Sequence, residues 1–137
     1  DEGTFYATIN KVRISIIEYP YRIISPTIEW KDAGCTLASL DDLTCMKLSA
    51  IASRGSKKDF IDIYALERKY STLQQMMNMY KKKFQEADLF PVLRGLSYFD
   101  DADKERMPRM LWNVTWKTIK KEIQKELDKY LKGMAHG

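Results

Sequence analysis

The sequence predicts an α+β fold, with short N-terminal antiparallel strands followed by a mainly helical region of about five helices. Three observations predict it. The first twenty or so residues are dense in β-branched and aromatic side chains. From Ser39 onward, apolar residues recur at helical spacing behind capping residues. The chain then closes on a long amphipathic stretch, TWKTIKKEIQKELDKYLKG.

TFYATIN and KVRISIIEYPYRII read as strands, with Val12, Ile14 and Ile16 alternating with Lys11, Arg13 and Ser15. Asn10 and Lys11 suit the turn of a hairpin, without the Asn-Gly pair that marks one most clearly. Pro20 and Pro26 interrupt this pattern, and a loop containing Gly34 follows. Ser39 suits an N-cap, with Asp42 at the capping-box position, and opens a helix to about Arg54. Leu43, Met46, Ala50 and Ile51 mark one face of that helix. Gly55 suits the C′ position, and Ser56 with Asp59 caps a second helix that runs to about Lys69.

Ser71 opens a third helix, STLQQMMNMYKKKF, whose Leu73, Met76, Met77 and Tyr80 share a stripe. The methionines, Met79 included, read as core filling. A fourth helix covers roughly 89–97, with Pro91 in its first turn. FDDADKERMP reads as an acidic, irregular, solvated loop. In the closing helix Trp116, Ile119, Ile123, Leu127 and Tyr130 line one face, and Gly133 ends it. Its lysines read as a solvated face with local Glu122–Lys125, Glu126–Lys129 and Asp128–Lys132 pairs. The change of pattern divides the chain into a strand-rich part, 1–38, and a helical domain, 39–137.

Composition narrows the function classes. The chain has 137 residues, 45% of them hydrophobic, which is enough for one domain with a core. No apolar run approaches the roughly 20 residues of a membrane-spanning helix, and the start shows neither a signal peptide nor an initiator Met. The expected location is cytoplasmic. Cys35 and Cys45 match no metal spacing and read as reduced and structural. The single histidine, His136, leaves no His-based triad. Net charge is +4, and all of the surplus lies in the second half: residues 1–70 carry ten basic against ten acidic side chains, and 71–137 carry thirteen against nine. Such a bias permits a nucleic-acid or nucleotide partner without requiring one.

The most informative stretch is CMKLSAIASRGSKKDFIDIY, residues 45–64. Lys47 and Arg54 lie seven residues apart, on one side of a helix, and Asp59 and Asp62 share a side of the next. A short break at Gly55 and Ser56 lets the bases meet the acids. Charges drawn towards apolar faces need partners. A salt bridge locking the corner and a site facing nucleotide phosphates are therefore both open on spacing alone.

The run LASLDDLTCMKLSAIASRGSKKDFIDIYAL resembles the hallmark segment of the AbiEii/AbiGii toxin-type nucleotidyltransferases, in which a Lys-containing helix leads to an Arg, a basic turn and an Asp-x-x-Asp helix. The flanks are similar as well, from SIIEYPY to the basic closing helix. The resemblance implies nucleotidyl transfer from a nucleoside triphosphate to RNA or protein, with a cognate antitoxin as partner. It implies Lys47 and Asp62 as catalytic residues, with Arg54 and Asp59 binding substrate and Glu18 where the superfamily places a third carboxylate. It also implies Mg²⁺ in the complete enzyme, bound by an Asp-x-Asp motif after a Gly-Gly or Gly-Ser turn. That motif is absent here, so no metal ligand is expected in this chain. Gly55-Ser56 follows a helix rather than preceding such a strand, and Asp101-Ala-Asp103 lies in the acidic loop. The expected identity is the C-terminal part of such an enzyme, inactive alone, with 1–38 a remnant of the catalytic core. Two rivals belong to other classes: a non-catalytic helical interaction module, and a basic nucleic-acid-binding domain whose closing-helix lysines face RNA.

Overall fold

The computed structural model describes residues 3–85 and 87–136. Four strands precede six helices. β1 (Thr4–Ile9) and β2 (Val12–Ile17) form one antiparallel hairpin, and β3 (Ile28–Trp30) and β4 (Cys35–Leu37) form a second. Then come α1 (Leu40–Arg54), α2 (Lys57–Lys69), α3 (Leu73–Lys83), α4 (Phe90–Leu96), the single turn α5 (Asp100–Asp103) and α6 (Trp116–His136). The architecture is α+β, as the pattern predicts.

The first hairpin turns on Asn10 and Lys11, whose φ angles of 50° and 66° are those of a type I′ turn. Its register pairs Phe5 with Ile16 and Ile9 with Val12 on one face, and Tyr6 with Ser15 on the other. Neither face is covered: Phe5 and Ile17 are 61% and 62% exposed. The second hairpin occupies what the sequence suggests is a loop. Its connection is a 3₁₀ turn, Lys31–Ala33, closed by Gly34 at φ 65°, a conformation that suits glycine.

The helices hold the core. Leu48, Ile51, Phe60, Ile63, Leu73, Met76, Met77, Val92, Leu96, Ile119, Ile123 and Leu127 are all buried. α1 is the central element, packed against α2, α3 and α4. It therefore buries Thr44, Cys45, Leu48 and Ile51, while Met46 is exposed and Leu43 half-covered. This shifts the buried face from the Leu43–Met46–Ala50 stripe, because small polar or sulfur side chains fit where three helices converge. Gly95 allows the α1–α4 crossing, since a Cβ there would lie 2.3 Å from the Ile51 carbonyl oxygen.

Local signals set most helix starts. Ser39 and Ser56 cap α1 and α2, and Ser56 with Asp59 makes a complete reciprocal box. α3 is capped by Thr72, one residue beyond the expected Ser71, and Thr72 with Gln75 makes a complete reciprocal box. Gly55 is extended (φ −66°) rather than left-handed, so α1 ends without a glycine C-cap motif. α6 continues past Gly133 to His136. The acidic loop is not simply solvated. Ala102 packs into the core, and Asp103 accepts from Trp116 Nε1 (2.7 Å) and Lys120 Nζ (2.9 Å), anchoring the start of α6. Cys45 is buried, but Cys35 is exposed on β4, so only the former packs.

The segment between the hairpins is clamped to the helices. Tyr19, Tyr21, Phe84 and Tyr80 form a chain of edge-on and tilted rings 4.8–5.0 Å apart. Beneath it, Lys83 Nζ donates to Asp42 Oδ1 (2.6 Å) and to the Arg22 carbonyl (2.7 Å). Asp42 also accepts from the backbone N–H of Ile24 and Ser25 and from Ser39 Oγ. Burial pushes the Asp42 carboxyl up, but Lys83, Ser39 and these N–H groups outweigh it and hold it at about 2.

Candidate functional site

Ser56 caps α2 two residues after Arg54 ends α1, so the facing sides of the two helices meet at a tight corner. Lys47, two turns back from that corner, reaches across it. Its Nζ lies 2.8 Å from Asp62 Oδ2 and 3.3 Å from Asp59 Oδ1. The sequence-predicted bases and acids thus meet through one lysine.

The two carboxylates differ. Asp59 also accepts from Ser56 N (3.1 Å) and Ser56 Oγ (2.8 Å), so it completes the helix cap and is largely covered. Among the described residues Asp62 has only Lys47 as a partner, and its side chain is 47% exposed. Burial alone lowers the Lys47 pKa, but the hydrogen bonds and charges of Asp62 and Asp59 reverse this and raise it above its usual value. Lys47 is therefore held firmly as a cation, with part of its surface open to solvent.

Two grooves border the corner. Asp62 lines one of about 560 Å³ together with Lys58, Tyr64, Arg109, Leu111 and Trp112. Arg54 and Gly55 line the other, about 400 Å³, with Phe90, Arg94, Tyr98 and Asp101. Among the described residues no carboxylate pairs with Arg54. Glu18 follows β2, and its N–H extends the ladder to the Gly3 carbonyl (2.7 Å). Among the described residues no hydrogen bond or ion pair joins Glu18 to Lys47, Asp59 or Asp62. The corner brings Lys47, Asp59 and Asp62 together and leaves Arg54 and Glu18 elsewhere.

Two clusters escaped the sequence reading. One is the buried Asp42–Lys83 pair. Its local half was visible, since Asp42 sits at the capping-box position, but its partner lies 41 residues on in an ordinary-looking KKK run. The other is Glu67 on α2. Both of its carboxylate oxygens, and the hydroxyl of Ser71 one turn on, are buried without a hydrogen-bond partner. Burial first, then Glu126 and Glu122, raise its pKa to about 8. Among the described residues no three or more His, Cys, Asp or Glu side chains are grouped to hold a metal ion. No helix is long and apolar enough to cross a membrane.

Comparison with known proteins gives a consistent result. The family model described as nucleotidyl transferase AbiEii toxin, type IV toxin–antitoxin system, matches residues 9–133. An uncharacterized protein of Aquifex aeolicus (strain VF5) is 35% identical over 105 residues, covering 76% of this chain. The chain spans about half of that relative's length, 51%. No solved structure matches it significantly.

Proposed function

This chain belongs to the AbiEii nucleotidyl transferase toxin family, and we propose that it forms the helical part of an enzyme transferring a nucleotidyl group from a nucleoside triphosphate to RNA or protein. In this reading residues 1–38 are a strand-rich remnant of the catalytic core and 39–137 the C-terminal domain. The protein acts in the cytoplasm as the toxin of a toxin–antitoxin or phage-defence pair, restrained by a cognate antitoxin. Mg²⁺ would be held by residues outside this chain. In the complete enzyme it would neutralise charge on the triphosphate.

The observation that carries the reading is the Lys47 bridge to Asp59 and Asp62. A lysine whose charge is fixed by two carboxylates can hold a triphosphate oxygen as a point charge. Asp59 keeps the ammonium in place, and Asp62, exposed on its groove, orients it. Lys58 and Arg109 give that groove further positive charge, and Tyr64 and Trp112 give it an aromatic wall. Arg54 and Glu18 enter as further substrate-binding and catalytic candidates. Neither contacts the Lys47 cluster, so their roles depend on the rest of the enzyme.

The test compares labelled-nucleotide transfer by this chain and by an N-terminally extended protein, with all four triphosphates, Mg²⁺, bulk RNA and cell protein. Transfer by the extended protein alone, lost in Asp62→Ala, supports the reading. Turnover by the isolated chain overturns the view that it is inactive alone. If neither protein transfers label, Lys47 and Asp62 are a corner salt bridge, and a non-catalytic interaction module becomes the better account.

A further inference from the structure

The first turn of α2 is held twice. Lys57, which is buried, donates through its backbone N to Glu105 Oε2 (3.1 Å) and through Nζ to the Glu105 carbonyl. Its ammonium also lies 5.0 Å from the centre of the Trp116 ring. The Ser56–Asp59 box holds the same turn independently. The helix start therefore does not rest on the box alone. What the box does in addition is divide the Asp59 carboxylate. Oδ2 accepts from Ser56 N (3.1 Å) and Ser56 Oγ (2.8 Å), which leaves Oδ1 for Lys47 Nζ (3.3 Å).

The same division occurs at the start of α1, with a different outcome. Ser39 Oγ donates to Asp42 Oδ2 (2.8 Å), and Oδ1 accepts from Lys83 Nζ (2.6 Å). That lysine is fully buried and also donates to the Arg22 carbonyl, so its charge is committed to the fold. At α3 the box is Thr72 with Gln75, a neutral pair to which no lysine is bound among the described residues. The lysine at the Ser56 box is different from both. It stays 27% exposed and is shared with a second acid, Asp62, on an open groove.

The terminal torsion of an aspartate is broad, so nothing in Asp59 itself selects the oxygen that faces Lys47. The Ser56 hydroxyl does. It donates to Oδ2 and accepts from Asp59 N (3.3 Å), which ties that residue at its backbone and at its carboxylate. We propose that Ser56 is a positioning residue: its hydroxyl aims Asp59 Oδ1 at Lys47 and so holds the ammonium beside Asp62, where the triphosphate would meet it. The assignment deepens the transfer reading by adding the group that aims its phosphate contact. It rests on that reading for the phosphate, but not for the aiming of Lys47.

The experiment compares the parent with Ser56→Gly, Ser56→Ala, Ser56→Thr and Thr72→Ala. Glycine removes the hydroxyl at little cost to a helix start, so folding is kept even where the alanine variant melts lower. Two quantities are read at neutral pH. One is the Cε NMR shift of Lys47, identified by its loss in Lys47→Arg, and the other is the affinity for inorganic tripolyphosphate by calorimetry. In Ser56→Gly and Ser56→Ala the Lys47 signal is expected to move towards that of a solvated lysine, and tripolyphosphate to bind about tenfold more weakly. Ser56→Thr restores both, and Thr72→Ala, the loss of an equivalent cap, changes neither. An unmoved Lys47 signal or an unchanged affinity in the glycine and alanine variants overturns the proposal, as does an equal change in Thr72→Ala or no rescue by threonine. If the signal moves but the parent binds no tripolyphosphate, the aiming role stands and the phosphate role of Lys47 in the transfer reading falls.

Discussion

The strands at residues 4–37 and the helices at 40–136 are both rich in large apolar side chains, yet only the helices bury theirs. Phe5, Tyr6, Ile9, Val12, Ile16 and Ile17 lie open on a two-stranded hairpin, while Leu48, Ile63, Met76 and Ile123 are fully covered. The difference is one of layers. A helix buries its stripe against neighbouring helices, and α1 and α6 each pack against α2, α3 and α4. Two strands have no second layer, and an isolated hairpin is marginal in water. Apolar content therefore does not by itself make a core. Between the two regions stands one clamp, the Tyr19–Tyr21–Phe84 rings over the Asp42–Lys83 pair.

Breaking that clamp should have the largest effect. Lys83→Met leaves Asp42 buried without its cation and is expected to cost about 3–5 kcal/mol. Chemical denaturation measures the loss, and hydrogen exchange at the Ile24 and Ser25 amides should show that the strand region has detached. The Asp42 carboxyl, depressed to about 2, contributes stability that is present above its unfolded value near 4 and lost as pH falls towards 2. An acid titration should show this loss in the parent and not in Asp42→Asn.

Gly95→Ala tests the helical side alone. Helix propensity favours Ala by about 1 kcal/mol, but the Cβ meets the Ile51 carbonyl oxygen. A net loss of about 2 kcal/mol is expected, with hairpin amide exchange unchanged.

Glu67→Gln sharpens the contrast from the opposite direction, because here the helical body carries a flaw. A carboxyl whose folded pKa is raised to about 8 binds more protons folded than unfolded. Parent stability should therefore fall as pH rises from near 4.5 to 8, by at most about 1.4 kcal/mol per pH unit. The Gln variant should flatten that slope and gain about 1–2 kcal/mol at pH 8, read from thermal melts across the range. A parent slope that persists in the variant would exclude Glu67 as its source.

The smallest change is Lys11→Gly, which relieves a lysine at φ 66°. A gain of under about 1 kcal/mol is expected, confined to hairpin amide protection and invisible in the melting of the helices.

What the sequence made legible follows the same division between near and far. Caps at Ser39 and Ser56, the turn at Asn10 and Lys11, and the Lys47 corner all depend on residues within about fifteen positions of each other. The stripe on α6 was legible because one face of that helix meets the body and the others meet water. The buried face of α1 was not, since a helix touched from three sides shows little periodicity and its contacts include Thr44 and Cys45. Asp42 with Lys83, and Glu67 with Glu122 and Glu126, join elements distant in the chain, and no local pattern marks them. At the site, the meeting of Lys47 with the two acids was readable from spacing. The departure of Arg54 to another groove was not, because the direction of a helix end depends on what packs beside it.

The unequal footing of Asp59 and Asp62 has a mechanical consequence. Asp59 is pinned by the Ser56 N–H and hydroxyl, so it behaves as a fixed pivot, while Asp62 hangs from a single contact. Under the proposed transfer reading, Lys47 would trade Asp62 for an incoming triphosphate oxygen by swinging about Asp59, keeping one carboxylate partner throughout. The exchange replaces one bond and moves no helix, which makes it a change of grip rather than a change of shape.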